Sequence, residues 1–153
     1  MSGAAHPSLR GAAQLQGAIR RRLPALLHDG SGEPPRGVAI YSLSDPREVR
    51  EIRYIGQSAS PRRRLLEHLR VARLWLPDEL PWWVESPRLR PLYQWIRALY
   101  RDDGRLPVMV VRAWVDATEA RLAERSHICT CLGEQLPLLN VEEERLRRQL
   151  QLL

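Results

Sequence analysis

The chain has 153 residues, 44% of them hydrophobic, with a net charge of +6 and a pI of about 10.3. That length gives one domain with small extensions. No apolar run approaches the roughly 20 residues needed to span a bilayer, and the N-terminus lacks the basic-then-apolar order of a signal peptide, so a cytoplasmic protein with no membrane partner is expected. All 24 basic residues are arginines. A GC-rich gene explains most of the missing lysine, but the positive balance still favours a polyanionic partner.

Residues 9 to 28 read as a helix, with Leu15, Ile19, Leu23 and Leu26 roughly on one side and Pro24 bending or shortening it. Asp29 to Pro35 has linker composition, so the boundaries are set at 1–35 for an N-terminal helical extension, 36–141 for the main domain and 142–153 for a C-terminal helix. Val38 to Leu43 is a short apolar strand before the turn signal Ser44-Asp45-Pro46. Glu51 to Gly56 alternates polar and apolar residues, as a half-buried strand does, and pairs with the first strand as a hairpin. A Gly56-Gln57-Ser58 turn is expected next. Ser60 as cap and Pro61 in the first turn then open a helix over 61–74, with Leu65, Leu69 and Ala72 as its core stripe.

Trp75, Leu76, Trp82 and Trp83 sit among Pro77, Pro81 and Pro87, which forbid a long helix. The stretch is either a loop tucking its rings over the core or a surface that stacks on bases or on a partner. Pro91 to Tyr100 is a helix stopped by Asp102-Asp103-Gly104. Pro107 to Val115 is the strongest strand. Asp116 or Thr118 caps a helix over 118–132. On that helix Cys129 and Cys131 point to nearly opposite sides, as two buried free thiols. Val141 to Leu153 forms a Leu-rich helix, laid on the N-terminal helix or used in a homodimer. The element order predicts an α+β fold, a small three-stranded antiparallel sheet flanked by helices.

Chemistry concentrates after the second strand. Tyr54 arrives on a strand, and Arg64 and His68 share one face of the helix, four residues apart. A phenol, a guanidinium and an imidazole together are suited to a phosphate. Glu124 falls inside the apolar stripe of Ala120, Ala123, His127, Ile128 and Cys131. A carboxylate there needs a partner, either an arginine such as Arg64 in a buried ion pair or a metal ion.

Tyr41 on one strand and Tyr54-Ile55-Gly56 on the next resemble the signature of the GIY-YIG nucleases. The first motif stands as Ala39-Ile40-Tyr41, and Tyr41-Ser42-Leu43-Ser44-Asp45-Pro46 is similar to a branch that begins Tyr-x-Leu-x-Asp-Pro. The other register puts Ala39 at the first tyrosine position; Tyr41 leaves the more ordinary spacing to Tyr54. Arg64 and His68 follow Gly56 by eight and twelve residues, as in that family. Glu119-Ala120-Arg121-Leu122-Ala123-Glu124 matches its glutamate motif, and Pro137-Leu138-Leu139-Asn140 its closing asparagine. The likeness covers about residues 37 to 141.

The resemblance implies a divalent-metal-dependent endonuclease acting on DNA more readily than on RNA. One Mg²⁺ (or Mn²⁺) would be held by Glu124, and Tyr41 would serve as base if nearby charge lowers its pKa. Arg64 would steady the phosphoryl oxygens, Tyr54 and His68 would hold the phosphate and orient Tyr41, and Asn140 would fix the sheet edge or the metal's surroundings. Gly56, Ser58, Arg62 and Arg63 are the expected nucleic-acid contacts. Two further readings stand beside it: a non-cutting nucleic-acid-binding module on the same fold, and a structural interaction protein.

Overall fold

The computed structural model describes residues 9–28, 37–76 and 89–140. In chain order they form α1 (Leu9–Leu26), β1 (Leu27–His28), β2 (Val38–Ser44), β3 (Ile52–Ser58), α2 (Pro61–Val71), α3 (Arg90–Asp103), β4 (Val108–Val115) and α4 (Ala120–Gly133). The fold is α+β, but its sheet is mixed and four-stranded, in the order β1-β4-β2-β3. The three antiparallel strands expected from the sequence are β4, β2 and β3. The fourth is β1, which pairs parallel to β4 through Leu27↔Met109 and His28↔Val110. Two residues are too few to show strand alternation, so the helical reading of 9–28 absorbed them; the open edge of β4 is what makes them a strand. The linker at 29–35, the tryptophan stretch from Pro77 to Pro87 and the helix expected from Val141 onward lie outside the described residues.

Strand β2 is central and almost wholly buried. Its alternation assigns the two faces of the sheet. Tyr41 and Leu43 join Leu23, Leu65, Leu69, Leu92, Tyr93 and Ile96 in one cluster, beneath α1, α2 and α3. Ile40 joins Ile55, Cys131 and Leu138, beneath α4. Successive side chains of a strand point to opposite faces, so α2 and α4 cover opposite sides of the sheet. Ile19, Leu23 and Leu26 of α1 are buried in the first cluster, which spends the apolar stripe of that helix on the core. Cys131 is buried in the second cluster, but Cys129 is exposed, because two residues turn a helix about 200°. No described helix is long and apolar enough to cross a membrane.

Several local expectations change. Strand β3 continues through Ser58, so Gly56-Gln57-Ser58 is strand and not turn: Tyr41 faces Gly56, Ile40 faces Gln57 and Ala39 faces Ser58. Ser60 is the N-cap residue of α2 with Pro61 at its first turn, but its hydroxyl makes no capping bond. The Ser60 amide donates to Ser58 Oγ at 3.0 Å and its carbonyl accepts from Arg64 N–H at 3.0 Å. The far end of α2 is held by Arg97 of α3, which donates to the carbonyls of Ala72 (2.8 Å), Arg73 (2.5 Å) and Leu76 (3.0 Å). Those are carbonyls at and just beyond the helix end, which have no partner within the helix itself. Gly104 ends α3 at φ 63°, a left-handed conformation that glycine adopts without a Cβ penalty, and its N–H donates to Tyr100 O at 2.7 Å. Glu119, not Asp116 or Thr118, is the N-cap of α4.

The free edge of β3 is closed by one side chain. Asn140 Oδ1 accepts from Ile55 N–H at 3.0 Å and Asn140 Nδ2 donates to Ile55 C=O at 3.0 Å, both buried. Leu139 N–H donates to Arg53 C=O at 2.6 Å beside it. The amide therefore supplies the donor and the acceptor that a further strand would supply, on separate atoms of one planar group as a peptide does. Asn140→Ala leaves two buried backbone groups unpaired, at about 1–3 kcal/mol each. We expect a loss of roughly 2–5 kcal/mol in urea unfolding; a loss under about 0.5 kcal/mol, the scale of an ordinary surface change, would remove Asn140 from this role.

Candidate active site

On the α1–α2–α3 face of the sheet, one imidazole lies between two phenols. His68 is fully buried on α2 in the apolar stripe of Pro61, Leu65 and Leu69. Its Nε2 is 2.8 Å from Tyr41 Oη and its Nδ1 is 3.1 Å from Tyr93 Oη. The ring centroids complete the cluster: Tyr41–Tyr54 6.4 Å, Tyr54–His68 5.9 Å and His68–Tyr93 5.9 Å. Tyr41 is 1% exposed and Tyr93 is 1% exposed, whereas Tyr54 is half-buried. Arg64, one turn before His68 and half-buried, brings its guanidinium near enough to the Tyr41 hydroxyl to act on its charge and pairs with Glu67 at 3.0 Å.

Gly56 makes room for this cluster. Opposite Tyr41 in the ladder, it lies under the phenol. A Cβ there would stand 2.5 Å from Tyr41 Cζ and 2.9 Å from Tyr54 Cε1, and closer still to the Tyr41 hydroxyl oxygen. The glycine is needed for close approach inside a strand and not for a turn.

Burial sets the charges. It pulls the His68 imidazole down to about 3, with the nearby Arg64 cation acting in the same direction. It drives the Tyr41 phenol well above the ordinary tyrosine value, with Tyr54 adding to the rise and Arg64 opposing it without prevailing. The condition attached to a Tyr41 base, a phenol lowered by nearby charge, is therefore not met in this state. Burial also works against the Arg64 cation, but Tyr41 and Glu67 hold its pKa above the ordinary arginine value. At neutral pH the cluster is thus a neutral phenol–imidazole–phenol chain with one guanidinium at its margin.

The other expected residues are placed as follows. Asn140 is at the β3 edge, as described above. Glu124 is half-buried on α4, whose apolar residues Ala123 and Ile128 pack on Ile40 and Ile55. Its helix therefore covers the sheet face opposite the tyrosine–histidine cluster, and the ion pair of Arg64 is with Glu67. Both α2 and α4 contact β3, so the helices carrying Arg64 and Glu124 flank that strand from its two sides. His127 turns to the backbone, its Nδ1 donating to Ala123 O at 2.9 Å. Among the described residues no group of three or more His, Cys, Asp or Glu side chains is placed to hold a metal. Ser58 is half-buried on β3, its hydroxyl taken by the Ser60 amide, and Arg62 and Arg63 are exposed on α2.

Sequence reasoning missed Tyr93 and Glu67. Tyr93 had a signal: it borders the stripe of Leu92, Ile96 and Leu99, and a phenol on an apolar face needs a partner. Glu67 had a weaker one, its spacing of three from Arg64.

Comparison with family models, curated proteins and solved structures finds no match for this chain.

Two predictions follow from this geometry. Gly56→Ala forces the Tyr41 ring aside and costs about 1–3 kcal/mol, the scale of overpacking; an unchanged melting temperature would mean the ring has room to move. The second is a pH effect. His68 titrates near 6.5 unfolded and at about 3 folded, so the unfolded chain binds the extra proton between those values. The stability due to the neutral imidazole is complete above pH 6.5 and lost as pH falls towards 3. Wild type should lose several kcal/mol more than His68→Asn between pH 7 and 4 in urea titrations; parallel pH profiles would remove His68 as the titrating group.

Proposed function

We propose that the chain is a GIY-YIG-type endonuclease that hydrolyses phosphodiester bonds in DNA with the help of a divalent ion. The observation that carries this reading is the convergence of Tyr41, Tyr54, Arg64 and His68, from two strands and a helix, on one cluster. Gly56 beneath them and Asn140 closing the same strand add the rest of the signature at matching positions. The register that puts Tyr41 in the first motif is favoured, since Ala39, two residues back, brings no phenol to His68.

The roles are distributed by burial. Tyr41 and His68 are positioning residues: both are shut from water, and together they set the ring plane of Tyr54 and the place of Arg64. Tyr54 is the half-buried phenol of the trio; having first lost its own proton to solvent, its phenolate takes the proton of the attacking water as oxygen adds to phosphorus. Arg64 stabilises the negative charge that grows on the non-bridging oxygens. The P–O3′ bond breaks as the new P–O bond forms, and the departing 3′ oxygen takes a proton from solvent water, leaving a 5′ phosphate and a 3′ hydroxyl. A single carboxylate at Glu124 fits Mg²⁺, which keeps several waters and takes one or two protein carboxylates plus substrate phosphate; it does not fit an all-protein cage. Such an ion would supply charge neutralisation at the departing oxygen.

Two observations favour a second reading, a module on this fold that binds nucleic acid without cutting it. The helix of Glu124 lies on the other face of the sheet from Arg64, and the Tyr41 phenol is held neutral. Plasmid nicking with Mg²⁺ against chelator separates the two. Wild type should nick only with the metal, and Arg64→Ala, Tyr54→Phe and Glu124→Gln should each lose about 10²-fold or more, the scale of removing one transition-state donor. Glu124→Gln should bind DNA as well as wild type or better. Binding without nicking by wild type would select the second reading, and equal nicking by all four proteins would dismiss the assigned site.

A further inference from the structure

The α1–α2 junction opens into a cleft of about 300 Å³ lined by Gln16, Arg20, Arg63, Leu66, Glu67 and Arg70. Three guanidinium groups face it against one carboxylate. That carboxylate, Glu67, is held by Arg64 at 3.0 Å. Arg20, Arg63 and Arg70 are exposed, and among the described residues no ion pair holds them. Like charges gathered at one cleft repel each other, so the arrangement is at its most stable with an anion between them.

We infer that this cleft is a second phosphate-binding site, and that it takes the backbone of the same nucleic acid a few nucleotides from the phosphate at Arg64. This inference rests on the nucleic-acid reading above. Three features select a nucleic-acid backbone over a small anion or an acidic peptide. Arg63 adjoins Arg64 in sequence, and Glu67 touches both the cleft and the Arg64 ion pair, so the cleft and the site are continuous along α2. Arg63 and Arg70 lie seven residues apart on one helix face, about 10 Å along the axis at 1.5 Å per residue, which is about three steps of the 3.4 Å rise of a DNA strand. The planar forks suit phosphodiester oxygens, while Leu66 and Gln16 offer a sugar an apolar wall and one hydrogen-bonding amide.

The contribution of Arg20 gives the N-terminal helix a use beyond the core. Ile19 and Leu23 anchor α1 and so hold Arg20 against α2. The cleft therefore widens the footprint of a small site by one arm that no motif in the chain announces.

The test is duplex binding by fluorescence anisotropy from 50 to 300 mM salt, in calcium so that no cutting intrudes. The proteins are wild type, Arg20→Ala, Arg63→Ala/Arg70→Ala, and the control Arg121→Ala/Arg125→Ala on α4. All five positions are exposed, so folding is checked simply by melting temperature. Each phosphate contact contributes about 0.9 to the slope of log K against log salt. Arg20→Ala should lower the slope by about 1 and the α2 double variant by about 2, with affinity down roughly 5- to 100-fold at the lowest salt. The control pair should keep the wild-type slope. If wild type binds with a steep slope and the cleft variants match it, or fall no further than the control pair, the second site is overturned and the nucleic-acid reading stands. If wild type shows no salt-dependent binding at all, both fall.

Discussion

The hydrogen-bonded chain from Tyr41 through His68 to Tyr93 is the constraint on which the rest of the site depends. It joins the central strand to two helices through a group that cannot be buried with either nitrogen unpaired. Because both bonds are directional, they fix the rotation of α2 about its axis. A step of one residue, about 100°, would carry His68 out of the core and swing Arg64 away from the Tyr41 hydroxyl. The same chain dictates the sequence of β3. A phenol crossing from β2 to α2 must pass over the neighbouring strand, and only a residue without a Cβ leaves it the space. Gly56, His68 and the register of α2 are thus one requirement expressed at three places.

How much of this was legible follows the range of the interactions. An apolar run before a turn announced β2, alternation announced β3 and β-propensity announced β4, and the apolar spacing announced Ile19, Leu23, Leu65, Leu69, Leu92 and Ile96 as core, because each is decided by residues a few positions away. The pairing of β1 was not legible, since two residues carry no period and the partner is some eighty positions along the chain. Asn140 was legible only through the family pattern, which left its use between the sheet edge and a metal's surroundings; its hydrogen bonds to Ile55, 85 residues away, put it at the sheet edge. Caps were the least legible of all. Ser60 and Thr118 have the right chemistry, yet the first forms no side-chain capping bond and the second is not the cap, a place taken by Glu119.

The placement of α4 changes the spatial picture drawn from the sequence. A stripe of Ala123, Ile128 and Cys131 demands an apolar surface, and the free face of the sheet, lined by Ile40 and Ile55, is the one available. The first face is already taken by α1, α2 and α3. Core packing therefore sends the helix of Glu124 to the other side, and what α2 and α4 share is β3, the edge strand. A phosphate approaching both Arg64 and Glu124 has to come at that edge. This gives the Asn140 clasp a second consequence: by holding the backbone of Ile55, it fixes the rim that both helices meet, in a place where an unpaired strand would otherwise be open to another chain.

The charges around Tyr41 suggest why substrate and metal would be needed together. Burial dominates the phenol, and the Arg64 cation only moderates it. A phosphate that draws on Arg64 brings negative charge towards the cluster, which makes ionisation of any phenol there harder. A divalent cation has the opposite sign and twice the charge of the guanidinium, and in a dry site its field is weakened far less than in water. An anion arriving alone thus locks the cluster in its neutral form, while an anion arriving with its counter-cation leaves the phenols close to where they began. On this reading the resting neutrality of Tyr41 and His68 keeps the positioning network free of charge, and the water's proton is taken at Tyr54, the phenol that solvent still reaches.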